Sequence, residues 1–180
     1  MAFGRPRKLF TEAELYDYAV GALARRMRSV AELKRLLRNR VEADTEFGKT
    51  LVELIVVRLK DQGYLNDAKY AAAFSSYRHD NEKFGRKRVV NDLKAKGVHG
   101  DVIEKAVASV YDDVKEETLA REYLRRKRLQ KPKDRDRKQA ARIFRNLMRA
   151  GFAPKTIFTI LKKWDVEDET LTELENEITE

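Results

Sequence analysis

The sequence predicts an all-α protein made of three tandem three-helix repeats. Only three prolines and eight glycines occur in 180 residues, while alanine, leucine and charged residues with high helix propensity dominate. A segment with two apolar positions also recurs along the chain, and its copies begin at the nearly evenly spaced Ser29, Gly85 and Gln139. A repeat of this length is one supersecondary unit, so we expect the units to form an extended array.

The repeated segment is the predicted middle helix of each unit. Its apolar positions are Leu33 and Leu37, Val89 and Leu93, and Ile143 and Leu147. In the second and third copies a glycine lies four positions after the last leucine, at Gly97 and Gly151, which favours a helix that ends in a left-handed C-cap. The first copy has Val41 there, so its helix must end differently.

Capping residues and apolar stripes place the helices in order along the chain. Ser29 and Glu32 have the spacing of a capping box, and Asp67 is positioned to cap the following helix. The predicted helices cover residues 11–27, 29–41, 46–62, 67–80, 86–96, 101–112, 114–129, 135–150 and 154–164. We therefore expect repeats at 1–63, 64–113 and 114–164, followed by an acidic tail at 165–180.

The net charge of +9 conceals an uneven distribution. The segment 165–180 contains eight acidic side chains and no basic one, so the rest of the chain carries all 39 lysines and arginines but only 22 of the 30 acidic side chains. This excess favours a polyanion or an acidic protein surface as the partner. The tail is either a disordered solubilising end or a segment that folds over the basic surface.

Basic residues cluster near the predicted starts of the middle helices, where free N–H groups and the helix dipole also favour anions. The alternative is a solvated face with ion pairs between residues i and i+4. We expect nine of these side chains to contact the polyanion or acidic protein surface: Arg25, Arg26, Arg28, Arg86, Lys87, Arg88, Arg125, Arg126 and Arg128. Four aromatic residues fall on core spacing and are predicted to pack rather than to stack on bases: Tyr70, Phe74, Tyr77 and Tyr123.

No pattern of catalytic or metal-binding residues stands out, so we expect a protein that is not an enzyme and has no cofactor or metal. There is no cysteine, and the two histidines, His79 and His99, are widely separated in sequence. Residues 43–50 match a permissive phosphate-binding loop, but a basic helix precedes them and Asp44 and Glu46 would place negative charge in the cradle. Thr45 is instead predicted to cap the next helix.

The longest unbroken aliphatic run, at residues 54–57, is far shorter than the roughly 20 residues needed to cross a bilayer. Acidic residues follow the basic start of the chain where a secretory signal would need its apolar stretch. We therefore expect a soluble, cytoplasmic protein that does not bind membranes.

Several residues occur at spacings typical of one protein family. In the first repeat they are the run Leu23–Ser29 with Glu32 and Leu33. In the second they are Gly63, Tyr64, Leu65, Asn66, Asp67, Tyr70, Ala71, Phe74, Arg78, Gly85, Arg88, Val89, Leu93, Gly97 and Val98. In these residues the chain resembles the RecX family, bacterial regulators of the RecA recombinase.

The resemblance implies a curved rod of three-helix modules that lies in the groove of the RecA filament on DNA. It also implies inhibition of strand exchange, ATP hydrolysis and coprotease activity, and hence a role in DNA repair, recombination and the SOS response. The implied partners are the RecA filament and single- and double-stranded DNA, bound without sequence specificity by a monomer. The alternative is a protein of helical modules that binds DNA directly and needs no recombinase.

Overall fold

The computed structural model describes residues 9–42, 44–133 and 136–179, and these residues form ten α-helices and no β-strand. The helices are α1 (Glu12–Arg25), α2 (Val30–Arg38), α3 (Glu46–Asp61), α4 (Asp67–Asp80), α5 (Arg86–Ala95), α6 (Gly100–Tyr111), α7 (Glu116–Arg126), α8 (Arg137–Ala150), α9 (Pro154–Lys162) and α10 (Asp168–Thr179). The all-α prediction is confirmed, and each of the nine predicted helices begins and ends within three residues of its expected position.

The described residues form two compact units. The first contains the residues up to Ala71 together with Leu93–Ile103, and the second contains Ala72–Asp92 together with the residues from Glu104 onward. Helices α4, α5 and α6 therefore contribute residues to both units. The repeat boundaries at 1–63, 64–113 and 114–164 stay a prediction.

Each unit has its own apolar core. In the first unit α1, α2 and α3 pack together around Leu15, Ala19, Leu33, Leu37, Val52, Ile55 and Leu59. In the second unit α9 packs on α7 and α8 around Leu119, Ile143, Leu147, Phe152, Ile157 and Leu161. Apart from Phe152, which lies between α8 and α9, these residues lie on the helical apolar stripes of the sequence, because burial of one helix face requires that spacing.

The acidic tail forms helix α10, so of the two alternatives the disordered end is wrong. Helix α10 packs on α8 and buries Leu171 and Leu174. Arg137 of α8 forms ion pairs with Glu169 and Glu173 of α10. Two apolar residues three positions apart are a weak signal within a strongly acidic composition, and the arginine that balances the charge belongs to a helix far from α10 in sequence.

The turn that follows each middle helix accepts a hydrogen bond at the same position. In the first unit the Arg40 carbonyl accepts the Phe10 N–H at 2.9 Å, and the Lys96 carbonyl accepts the Ser29 hydroxyl at 2.6 Å. In the second unit the Ala150 carbonyl accepts the Gly85 N–H at 2.8 Å. A residue just before the start of a helix, Phe10, Ser29 or Gly85, therefore packs against each of these turns.

At two of these turns only glycine fits. A side chain would overlap with neighbouring atoms, and Gly97 and Gly151 also have a left-handed backbone conformation. Gly97 and Gly151 have φ values of +72° and +89°, so the predicted left-handed C-caps are confirmed. A Cβ on Gly151 would lie 2.2 Å from the Arg88 nitrogen, and a Cβ on Gly85 would lie 2.3 Å from the Gly151 oxygen. Helix α2 ends at Arg38, and its C-cap residue Asn39 has right-handed geometry, so the prediction of a different cap beside Val41 is confirmed.

The predicted cap of α2 is confirmed, whereas that of α4 is wrong. Ser29 and Glu32 form a reciprocal capping box, with bonds of 3.1 Å and 3.2 Å. At α4 the cap is Asn66, whose Oδ1 accepts the Lys69 N–H at 2.9 Å. The Asp67 carboxylate accepts the Val30 N–H at 2.8 Å, because α2 lies beside the start of α4.

A polar cluster of Glu32, Tyr70 and Lys96 joins α2, α4 and α5 within the first unit. Lys96 Nζ lies 3.0 Å from Glu32 Oε1. Burial acts to raise the pKa of Glu32, but hydrogen bonds from Lys96 and Ser29, together with the charges of Lys96 and Arg26, lower it below the ordinary value of 4.5. Burial and the charge of Glu32 raise the pKa of Tyr70.

The lowered pKa of Glu32 predicts a loss of stability in acid. Because the folded pKa lies below 4.5, the contribution of Glu32 is present above that pH and disappears as the pH falls through the folded value. At neutral pH we expect Glu32→Gln to destabilise the protein by about 1 to 2 kcal/mol, because charge-assisted hydrogen bonds are lost. Urea unfolding from about pH 6 to about pH 3 measures both effects.

Over that range the stability of Glu32→Gln should fall less steeply with acid than that of the wild type. Glu104→Gln is the control, because Glu104 is exposed and has no ion-pair partner among the described residues. Parallel curves for Glu32→Gln and the wild type would show that Glu32 is not coupled to its neighbours.

Candidate functional site

The nine candidate contacts lie at three helix ends. Arg25 closes α1, and Arg26 and Arg28 follow it. The cluster at residues 86–88 opens α5, as predicted. The three arginines at residues 125–128 lie at the end of α7, which ends at Arg126, whereas α8 begins at Arg137. Their expected place at the start of a middle helix is therefore wrong.

Four of the nine side chains form ion pairs within the chain. The pairs are Arg26 with Glu32 at 3.9 Å, Arg86 with Asp112 at 2.9 Å, Arg88 with Asp92 at 3.0 Å, and Arg126 with Glu82 at 3.3 Å. The other five form no ion pair within the described residues: Arg25, Arg28, Lys87, Arg125 and Arg128. Arg125 still interacts with a carboxylate, because a hydrogen bond from Lys83 and the charges of Lys83 and Arg125 lower the pKa of Glu122. Of the four pairs, only Arg88 with Asp92 has the i, i+4 spacing of a solvated helix face.

In the second unit the folding brings two of the predicted clusters to one aromatic ring. Tyr123 of α7 is only 6% exposed, and its ring centre lies 6.1 Å from that of Phe84 and 5.8 Å from that of Phe152. Burial raises the pKa of Tyr123, while the positive charges of Arg149, Arg126 and Arg88 oppose that rise. Lys127 Nζ lies 5.9 Å from the ring centre.

We name this set of cations the Tyr123 cluster: Arg88, Arg126, Lys127 and Arg149. Arg88 and Arg126 belong to the predicted contacts, whereas Arg149 and Lys127 were not chosen as contacts. Arg149 lies two positions before Gly151, in the last turn of α8, which contacts the start of α5. Only knowledge of this contact would have placed Arg149 near Tyr123. Such a contact cannot be read from the repeat spacing.

The cluster is held by fixed elements rather than by a loop. The Gly85 N–H bond to the Ala150 carbonyl fixes the start of α5 against the end of α8. The Phe84 carbonyl accepts the Tyr111 hydroxyl at 2.9 Å. The Arg88 guanidinium carbon lies 5.7 Å from the centre of the Phe84 ring. Guanidinium groups held in this way can bind phosphate or carboxylate oxygens with little loss of side-chain entropy.

Fewer backbone N–H groups than expected are free to bind an anion at the start of α2. The Val30 N–H donates to Asp67, and the Glu32 N–H donates to Ser29. These two donors are therefore used to hold the first unit together. The arginines that precede α2 must bind an anion mainly through their own side chains.

The packing prediction holds for three of the four aromatic residues. Tyr70 and Tyr123 are buried, and Phe74 is partly buried. Tyr77 is 55% exposed, so its assignment to the core is wrong. The buried and partly buried stripe of α4 runs through residues 71, 75 and 78, and Tyr77 lies to one side of it.

The segment that matches a phosphate-binding loop is a capped helix start. Thr45 Oγ1 accepts the Gly48 N–H at 3.0 Å, which confirms the predicted cap. Lys49 Nζ binds Glu46 at 2.8 Å. Ala43 lies outside the described residues. Within the described part of the chain no group of three acidic, histidine or cysteine residues could hold a metal, and no helix is long and apolar enough to span a membrane.

Comparison with known proteins gives consistent results. The family model described as "RecX, second three-helix domain" matches residues 66–107. The regulatory protein RecX of Myxococcus xanthus is 34% identical over 176 residues, which cover 88% of this chain and 87% of that protein. The RecX protein of Oceanobacillus iheyensis is 31% identical over 89% of this chain, but the match spans only 57% of its own length.

Solved structures agree on the fold. The crystal structure of RecX from Lactobacillus salivarius matches with a TM-score of 0.62 and 25% identity, over 86% of this chain and 96% of that one. A second crystal structure of a regulatory protein RecX has the same TM-score at 24% identity, over 84% of this chain and 71% of that one. Both likenesses support tandem three-helix repeats.

Proposed function

We propose, because the chain belongs to the RecX family of regulatory proteins, that it is a negative regulator of the RecA recombinase. In this proposal the chain binds in the groove of the RecA–DNA filament and inhibits strand exchange, ATP hydrolysis and coprotease activity. It acts in the cytoplasm as a monomer. No chemical step is required, because a protein that occupies the groove obstructs the movements of the filament by binding alone.

The observation that carries the proposal is the Tyr123 cluster. Cations from α5, α7 and α8 lie near one buried ring, and Lys87 and Arg125, which form no ion pair within the described part of the chain, lie on two of the same helices. A surface of this kind suits a ligand with several acidic groups at fixed spacing. A nucleoprotein filament offers both phosphates and protein carboxylates in a regular array.

The nine predicted contacts have different roles in this proposal. The side chains that form no ion pair contribute most of the charge that attracts the ligand: Arg25, Arg28, Lys87, Arg125 and Arg128. Arg26, Arg86, Arg88 and Arg126 each have a partner in the chain, so a ligand must compete with that carboxylate. Contacts with the second group should therefore be weaker at equal distance.

The test is a titration of the protein into RecA filaments assembled on circular single-stranded DNA. We expect ATP hydrolysis and strand exchange to decrease together and to approach zero at saturation. The amount of protein sedimenting with the filament at half inhibition gives the stoichiometry, which separates binding along the groove from binding at filament ends. Full recombinase activity at saturating protein would contradict the proposal.

The unpaired cations also favour a second candidate function, direct binding to DNA without a recombinase. This alternative predicts equal affinity for DNA in the presence and absence of RecA. It also predicts a linear decrease of log affinity with log salt, with a slope set by the number of neutralised phosphates. Affinity measured on naked DNA and on filaments in the same buffer separates the two functions.

A further inference from the structure

A small pocket in the first unit combines an aromatic ring, an apolar side chain and two cations. Its volume is about 110 Å³, and it is lined by Leu23, Met27, Arg28, Gly63, Tyr64, Asn66 and Lys69. Met27 is 53% exposed and Tyr64 is 60% exposed, which is unusual for large apolar and aromatic side chains. None of the lining residues is acidic.

The backbone holds the Tyr64 ring at the edge of this pocket. The Tyr64 N–H donates to the Leu59 carbonyl at 2.9 Å in the turn that follows α3. Gly63 has a φ of +74°, and a Cβ added there would meet no atom within 4 Å, so no atom crowds the space beside Gly63. The ring is therefore positioned by a fixed turn and remains accessible from solvent.

The polar groups around the ring are donors. Arg28 donates its Nε to the Ala22 carbonyl at 3.4 Å, which leaves its terminal nitrogens without a partner within the described residues. Lys69 has no carboxylate partner within the same residues. Asn66 uses Oδ1 to cap α4, so its amide NH₂ is directed away from the helix backbone. The nearby Asp67 carboxylate binds the Val30 N–H.

A flat ring beside two cations and an amide donor has the chemistry of a single-strand binding site. Every base can stack on an aromatic face, while cations on either side bind the backbone phosphates. An amide NH₂ group can also donate to a base carbonyl oxygen. An apolar peptide would gain little from two unneutralised cations, and a duplex would not present the face of a base.

We propose that this pocket binds one nucleotide of single-stranded DNA, with the base stacked on Tyr64 and its phosphates bound by Arg28 and Lys69. The site extends the proposed function, because it assigns a direct DNA contact to the first unit. It also operates in the chain alone, so it can be tested without RecA.

The test measures binding of fluorescein-labelled oligo(dT) to the full chain by anisotropy, without recombinase. Tyr64→Ala should lower the affinity about tenfold, whereas Tyr64→Phe should change it less than about twofold, because stacking needs the ring and not the hydroxyl. Tyr77→Ala is the matched control, since Tyr77 is similarly exposed but lies in the second unit, and it should have no effect.

Salt dependence and cross-linking provide independent measurements. Lys69→Gln should reduce the slope of log affinity against log salt by about 0.7, the value for one phosphate on a single strand, and Tyr64→Ala should leave the slope unchanged. An oligonucleotide that carries 5-iodouracil should cross-link to the peptide containing Tyr64. Circular dichroism checks that each variant keeps its helical content.

Equal losses in Tyr64→Ala and Tyr64→Phe, no loss in either, or cross-links confined to another peptide would overturn the inference. If the pocket instead binds an acidic protein segment, Tyr64→Ala will weaken filament binding and leave oligo(dT) binding intact. That result would reject the DNA site and leave the proposed function standing. Normal oligo(dT) binding without any filament inhibition would reject the proposed function and leave the site.

Discussion

Gly151→Ala is expected to destabilise the protein by about 3 kcal/mol or more, the largest effect of any single substitution considered. An alanine there must adopt a φ of +89° and place its Cβ 2.2 Å from the Arg88 nitrogen. The left-handed conformation costs about 1 to 2 kcal/mol, and displacement of a packed backbone costs about 1 to 3 kcal/mol more. Urea unfolding followed by circular dichroism measures the loss.

Three other glycines separate the two causes. Gly63 has a φ of +74° but open space around it, so Gly63→Ala should cost only about 1 kcal/mol. Gly85 has the close contact with the Gly151 oxygen, so Gly85→Ala should be costly through overlap. Gly21 lies within α1 with nothing within 4 Å, and Gly21→Ala should stabilise the helix by roughly 0.5 to 1 kcal/mol. Similar losses in Gly63→Ala and Gly151→Ala would show that the backbone contact contributes nothing.

The double variant Lys87→Glu with Arg125→Glu is expected to need at least about tenfold more protein for half inhibition of RecA ATP hydrolysis. Both side chains are exposed and form no ion pair within the described residues, so their reversal should remove ligand contacts and leave the fold intact. Reversed charges also repel phosphates and carboxylates. The measurement is a titration into filaments, with thermal unfolding to confirm unchanged stability.

Lys105→Glu with Arg142→Glu is the matched control, because it changes the net charge equally at exposed positions outside the candidate contacts. If both double variants lose inhibition equally, the effect is one of total charge and the assignment to these contacts is wrong. Arg88 is unsuitable for such a test. A glutamate there would face Asp92 and lie against the Gly151 turn, so folding and binding would change together.

The helices were readable from the sequence because their signals are local. Ser29 and Glu32 lie three positions apart, and the apolar stripe of each helix repeats within four positions, so neither depends on the rest of the fold. Asp67 shows the limit of such local reasoning. Its position suited a cap, but α2 offers its carboxylate the Val30 N–H, and the neighbouring Asn66 takes the cap.

Two features of the candidate sites could not be predicted from the sequence. The clustering of nine cations was visible, but the ion pairs that neutralise Arg86 and Arg126 join residues 26 and 44 positions apart. The exposure of the Tyr64 ring also has no local sequence signal, because exposure depends on which neighbours cover the ring.

The amino-acid sequence by itself thus determines the excess of positive charge, which follows from composition. It also determines the helix positions, most of their caps, and the left-handed turns at Gly97 and Gly151, because these arise from interactions between near neighbours in sequence. Folding decides which cations remain free, why Gly85 and Gly151 must lack side chains, and that α10 is ordered. These properties depend on contacts between residues far apart in sequence, whose distances are set only when the apolar faces of separate helices pack together.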